Sequence, residues 1–351
     1  MAKTTVIEIE QIKARNHNIL RAVIQAYIEM GAPVGSVFLC EKYRFGVSSA
    51  TIRNVMAELE AQGLITHPHT SAGRVPTDLG YRYYVDLLME PAALNPEEVS
   101  QLAALHAVPL DSFRKLLEQA AGVLSELTGA AAVVLVPELA RGTFKRFQLI
   151  PVEPTESVGV LITSEGMVRH AFCYWQEPVS PNWLLDLAQF INEALEGAAL
   201  SRIDAYLQEL ELLTADPVQS QWAATARAFF EREGMLQSDD SLILSGMQAV
   251  LSAPEFRSIE RTHRLMQALQ DRQSLTALLR RDLSANGVKL HIGGENKGTF
   301  LEDCSVVSAP YRHRGGITGA IGVLGPTRLD YPRITGLVQR MAESVTQALE
   351  N

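Results

Sequence analysis

HPHTSAGRVPTDLGYRYYVD, residues 67–86, is the stretch on which the reading of this chain turns. It begins as a polar tip marked by proline and glycine and carries Arg74 just past a flexible turn. It then runs through an N-cap at Thr77 into a tyrosine-rich helix. Upstream, a short amphipathic helix stops at Gly63. The steps on either side of the tip, Leu64-Ile65-Thr66 and Arg74-Val75-Pro76, have the character of strands. Two short strands joined by a polar tip make a ribbon lying beside that helix.

The preceding residues supply the rest of the module. HNILRAVIQAYIEMGAPVG (17–35) places Leu20, Val23, Ile24, Tyr27 and Ile28 at helical spacing before a turn at Gly31 and Pro33. SVFLCEKYRFGVSSATIRNVMAELEAQGLI (36–65) predicts a second short helix, a turn at Phe45-Gly46-Val47, and a third helix with Ser48 or Ser49 as N-cap. Three short helices with tight turns fit a helix-turn-helix, and the ribbon makes it a winged one.

At about 100° per residue, Ile52, Val55, Met56 and Leu59 fall on one arc of the third helix and face a core. The opposite arc carries Ala50, Arg53, Asn54 and Ala57, with Thr51 and Glu58 at its edges. Small side chains let a backbone approach closely. Arg pairs with a guanine edge, Asn with adenine, and an Ala or Thr methyl meets that of thymine. The Ser48-Ser49 helix start suits a phosphate. In the ribbon, Arg74 and the tip residue His69 lie against backbone or minor groove, and Arg82 is a further phosphate contact. Tyr81, Tyr83 and Tyr84 suit either a base-stacking platform or packing, with two rings packed inward and one partly exposed. A solvated helix face and a winged helix that docks a protein are the competing readings. His67 and His69 have no carboxylate or cysteine at ligand spacing, so no metal is expected.

Global properties agree with a DNA-contacting end on a larger body. A chain of 351 residues suits two or three domains. Its net charge of −9 falls entirely in 91–351, because 1–90 balances nine basic against nine acidic residues, and 42–82 is at +2. Cys40, Cys173 and Cys304 stand far apart with no CxxC pair, which fits a reducing cytoplasm rather than a disulfide or zinc framework. Neither a signal peptide nor a membrane-spanning run is expected, and the protein is expected to be soluble.

VSSATIRNVMAELEAQGLITHPHTSAGRVPTDLGYRYYVD (47–86) resembles the signature of the HrcA family of heat-inducible transcription repressors. The likeness continues in VKLHIGGEN (288–296), LEDCSVVSAPY (301–311) and GAIGVLGPTRLDYPRI (319–334). Val37 departs from a pattern in which the family more often has Lys or Arg after Gly-Ser. The resemblance implies a bacterial cytoplasmic repressor, nucleoid-associated when bound, that acts as a homodimer on an inverted-repeat operator of the CIRCE type in heat-shock (chaperone) operons. It also implies assistance from the GroEL chaperonin, a GAF-like middle domain, and an inserted segment that contributes to the dimer.

After a proline- and acid-marked linker at 91–98, helical spacing resumes at 112–129. Strand-like runs follow at 131–137, 144–154, 157–164 and 167–175. Helices dominate from Pro181. Strands return at 284–294, 304–311 and 316–325 before a last helix near 331–350. The expected fold class is thus α+β and multidomain. The N-terminal winged helix-turn-helix spans 1–90, the linker 91–110, and an α/β domain 111–204 and 286–351, interrupted by a helical insert at 205–285; that the domain is GAF-like and the insert dimerising is what the resemblance implies. HIGGENKG (291–298) matches no phosphate-binding loop and reads as a β-turn. GxSxG, HExxH and CxxC are absent, so no catalytic site and no cofactor are expected. The alternative is a ligand-sensing GAF-domain regulator whose winged helix docks a protein: a GAF-like pocket could hold a small effector, although nothing in Tyr311, His313 or Arg314 selects one.

Overall fold

The computed structural model describes residues 14–68, 73–90, 92–103, 113–137, 142–233, 235–236, 242–256, 258–283, 287–297, 299–312 and 318–350. Three helices open it: α1 (Ala14–Met30), α2 (Ser36–Tyr43) and α3 (Ser49–Ala61). Ile19, Leu20, Val23 and Ile24 of α1 share one buried cluster with Ile52, Val55, Met56 and Leu59 of α3. Of the two serines that suit the cap, Ser48 takes it. Its Oγ accepts from the Thr51 amide at 3.2 Å and satisfies one of the donors left open at a helix start.

Strands β1 (Ile65–Thr66) and β2 (Val75–Pro76) pair antiparallel, and a bridge between Val34 and Arg74, just before β2, ties this ribbon to the segment after α1. His69 lies outside the described residues. Next comes α4 (Asp78–Tyr83), capped by the Thr77 side chain and continued by one π-helical turn, Tyr84–Leu88. A Cβ at Gly80 would sit 1.9 Å from the Leu64 carbonyl oxygen. Glycine is what lets α4 lie this close to the ribbon.

Part of the expected linker is a docked helix, α5 (Pro96–Ala103), with Leu102 buried. The proline and acids that suggested a linker serve here as a helix start. Asn95 Oδ1 accepts from the Glu98 amide at 2.8 Å while Glu98 Oε2 accepts from the Asn95 amide at 2.9 Å.

The body contains two sheets with separate cores. A five-stranded antiparallel sheet has the order β7-β3-β10-β9-β8, built from β3 (Ala131–Leu135), β7 (Leu242–Ser245), β8 (Lys289–Ile292), β9 (Cys304–Arg312) and β10 (Thr318–Pro326). Both faces are covered, which is why AAVVL is apolar throughout. Ala132 and Val134 point to α6 (Phe113–Thr128), the last helix Tyr331–Glu350 and the N-terminal module, whose residues join the same cluster. Ala131, Val133 and Leu135 point to the opposite core, with Leu265, Leu269, Leu275 and Leu279.

A second, three-stranded meander forms from β4 (Phe144–Glu153), β5 (Glu156–Thr163) and β6 (Val168–Tyr174). Its inner face packs on α7 (Pro181–Leu195), α8 (Ile203–Leu213) and α9 (Pro217–Arg232) around Phe147, Ile191, Leu207 and Phe229. The chain leaves the main sheet after β3 and returns in β7, which pairs with β3 at Leu135↔Leu242.

The insert among the described residues is therefore 142–236, mixed in structure, rather than a helical 205–285. The runs at 144–154, 157–164 and 167–175 are strands, as expected, but they belong to the insert. Residues 242–283 contribute β7 and cover the main sheet. The stretch 258–283, which shows one amphipathic stripe, is two helices, α11 (Ile259–Gln270) and α12 (Arg272–Asp282), after the short α10 (Met247–Leu251). Asp271 interrupts the helix, not the stripe, and caps α12 by accepting from the Ser274 amide at 3.1 Å. The helix Tyr331–Glu350, α13, closes the fold. Among the described residues no helix is long and apolar enough to cross a membrane.

Candidate nucleic-acid interface

Burial of Ile52, Val55, Met56 and Leu59 dictates what α3 presents outward. Ala50, Arg53, Asn54 and Ala57 are exposed, Ser49 and Thr51 are half-buried at the helix start, and Ser48 is exposed before them. The Ser48 and Thr51 hydroxyls lie 3.0 Å apart, at the end of the helix where open amides and the macrodipole favour an anion. The face thus combines a bidentate donor at Arg53, a donor and acceptor at Asn54, and two alanines flat enough for close approach.

The acids bordering this face are occupied. Glu58 accepts from Asn16 Nδ2 at 2.9 Å, which ties it to α1. Glu60 meets Arg74 Nη2 at 2.7 Å and also bonds His67. The hydrogen bond with His67, supported by the Arg74 charge, holds the Glu60 carboxyl below the ordinary glutamate range. Both glutamates sit in the second half of α3, so the end bearing the serines is free of acid on this helix.

The other sequence-derived candidates divide. Arg74 directly precedes β2, at the end of the ribbon away from α4, and is held there rather than loose beyond a turn. Its amide donates to the Val34 carbonyl at 2.9 Å, its carbonyl accepts from the Val34 amide at 2.8 Å, and its side chain pairs with Glu60. Arg82 faces away from α3. Its guanidinium is held by Glu295 at 2.6 Å, by Asp86 at 3.1 Å and by the Leu290 carbonyl at 2.8 Å. Arg82, expected as a phosphate contact, thus has Glu295, Asp86 and the Leu290 carbonyl as its partners in the protein. Tyr81 turns toward Tyr331 and Arg82 toward Glu295 of the body, whereas the Tyr83 hydroxyl meets His17 Nε2 of α1 at 2.8 Å. Tyr81, Tyr83 and Tyr84 are all buried, at 2 %, 1 % and 2 % exposure, so none remains partly exposed as a stacking surface.

One basic residue without an assigned role in the sequence reading stands out. Arg44, in the turn between α2 and α3, has φ 47° and is the one non-glycine with positive φ among the described residues. It is exposed. Its signal in the sequence is the Arg-Phe-Gly turn, where a left-handed residue is needed but the arginine, not the glycine, comes first. HIGGENKG forms a 3-10 turn, Gly293–Asn296, rather than a plain β-turn, and it supplies the groups that hold α4. Burial pushes the Cys304 thiol up to about 12, so it is no nucleophile at neutral pH.

A family model described as the HrcA protein C terminal domain matches residues 114–335. The heat-inducible transcription repressor HrcA of Moorella thermoacetica is 34% identical over 343 residues, which cover 96% of this chain and 97% of that one. The protein of the same description from Sorangium cellulosum is 34% identical over 342 residues, covering 95% and 96%. A solved structure described as a hypothetical protein superposes with a TM-score of 0.67 at 22% identity, covering 97% of this chain and 99% of its own. That likeness is one of fold.

Proposed function

Because the chain belongs to the HrcA family of heat-inducible transcription repressors, we propose that it represses heat-shock (chaperone) operons by binding an inverted-repeat operator as a dimer. Its work is binding and not catalysis, carried out in the cytoplasm. The carrying observation is the outward face of α3, where Arg53 and Asn54 are exposed while Glu58 and Glu60 are occupied by neighbours.

The N-terminal module reads as a winged helix-turn-helix, with α3 in the major groove. Arg53 and Asn54 contact base edges, Ala50 and Thr51 lie against the groove floor, and Ser48 and Ser49 hold a phosphate. Arg44 and Arg74 flank that face and neutralise backbone phosphates, and His69, outside the described residues, is a further candidate for DNA contact. The five-stranded sheet with its helices reads as the GAF-like domain and 142–236 as the dimerising insert.

An inverted repeat is matched by a two-fold protein dimer. The outer face of β4–β5–β6 is the surface for it. Ile150, Val158 and Phe172 stand in register across the three strands, and Ile162 pairs with Val168. Phe172 and Val168 are each 63 % exposed. A monomer that leaves such a face open presents the apolar surface a chaperonin holds, which fits assistance by GroEL. Heat would divert the chaperonin to unfolded chains and lower the active fraction of repressor. Footprinting of the purified protein on its own upstream DNA, with and without GroEL, tests the reading. Protection of an inverted repeat that strengthens with chaperonin supports it, and absence of protection on any inverted repeat contradicts it.

A further inference from the structure

The YRYY segment is a joint. Tyr81 lies against Tyr331 of α13, with ring centroids 5.6 Å apart. Beside it, Arg82 meets Glu295 in a two-pronged pair, Nε to Oε1 at 2.7 Å and Nη2 to Oε2 at 2.6 Å. One turn earlier, Asp78 Oδ2 accepts from the Gly294 amide at 2.7 Å. At a second point, Arg328 donates through Nη1 to the Ile28 carbonyl at 2.8 Å and through Nε to Glu255. The ends of α1 and α4 are thus each fastened to the sheet domain, and α3 packs on α1.

These contacts fix an angle as well as a distance. A forked arginine–carboxylate pair is planar and directional, unlike the point charge of lysine. Burial works against the charge of Arg82, but the Glu295 fork and Asp86 outweigh it and hold its pKa above the ordinary arginine value. The opposing turn is shaped for close approach. Gly293 has φ +49°, and a Cβ there would lie 2.4 Å from the Asp78 carboxylate.

On a duplex, two half-sites have a set separation and rotation, and a dimer engages both only if each reading helix is held at the matching angle. We propose that the Arg82–Glu295 fork and the Asp78–Gly294 bond form a latch that sets the angle of α3 relative to the five-stranded sheet. Arg82, Asp78 and Glu295 are then positioning residues that select the spacing of operator half-sites without touching DNA. The inference rests on the dimeric, operator-binding reading above.

The test uses the full-length protein as wild type, Arg82→Lys, Glu295→Gln and Gly293→Ala, the last wedging the joint without removing a charge. Affinity is measured for a single half-site and for inverted repeats whose half-site separation steps through one helical turn. Hydrogen exchange at the Gly294 amide and thermal unfolding are read in parallel without DNA.

Wild type should prefer one separation. The variants should keep half-site affinity, lose about tenfold at the preferred separation, flatten the dependence on spacing, and exchange Gly294 faster while still unfolding cooperatively. An unchanged spacing profile in folded variants with faster Gly294 exchange overturns the proposal. So does unchanged Gly294 exchange, which would mean that no latch had opened. An equal loss on the single half-site also overturns it, because Arg82 would then touch DNA. If wild type binds no inverted repeat at any spacing, the operator reading itself fails.

Discussion

Glu60 and Arg74 meet at 2.7 Å, an ion pair between the C-terminal half of α3 and the residue that directly precedes β2. The pair couples α3 to the ribbon and also masks a positive charge beside the proposed phosphate path. Glu60→Gln should unmask it, tightening binding to all duplex sequences while costing about 0.5 kcal/mol of stability. Arg74→Ala should weaken binding to all sequences and reduce the slope of log affinity against log salt by about one. Salt titrations on operator and unrelated DNA check both. A sequence-selective loss in Arg74→Ala would instead make it a base reader.

Arg44 offers a cleaner separation of fold from binding. Its φ of 47° suits glycine better than arginine, so Arg44→Gly should raise stability by about 0.5–1 kcal/mol. The same substitution should lower DNA affinity and take about one from the salt slope. Denaturant midpoints and salt titrations on one preparation read the two effects. Unchanged affinity would remove Arg44 from the interface.

Phe172, 63 % exposed on the outer face of β6, should behave as an anchor of the dimer. Phe172→Glu should leave the monomer fold within about 0.5 kcal/mol but raise the dimer dissociation constant about thirtyfold or more. Sedimentation over a concentration series measures this. An unchanged constant would place the dimer contact elsewhere.

Acid should loosen the docking of α5. Glu98 is buried beside Arg333 at 2.7 Å, and the bond from the Asn95 amide, with Arg333 behind it, holds its pKa below the ordinary 4.5. A depressed carboxylate contributes stability that is fully present above its unfolded pKa and is lost as pH falls through the folded value. Glu98→Gln should therefore cost about 1–2 kcal/mol near pH 7, and the difference should shrink as pH drops below 4.5. Urea unfolding across that range checks the sign. A difference that grows in acid would contradict it.

The N-terminal module was legible in the sequence because its signals are local: the helical spacing of α1 and α3, the serine cap, and glycines at the turns. What Arg82 and Tyr81 face is not legible, since Glu295 and Tyr331 lie more than two hundred positions along the chain. The bounds of the insert are hidden in the sequence for a related reason. Alternation in β4–β6 marks strands, but only the pairing of Leu135 with Leu242 shows which strands share a sheet. The break at Asp271 was hidden by leucines that keep one stripe across two helices.

The most direct measurement is the affinity of wild type and Arg53→Ala for an inverted repeat taken from the protein's own upstream DNA, with each half-site base changed in turn. Wild type should bind the intact repeat selectively. Arg53→Ala should lose about 1–3 kcal/mol and lose discrimination at one base pair per half-site. Full affinity and unaltered base preference in Arg53→Ala would place the DNA-reading surface somewhere other than α3.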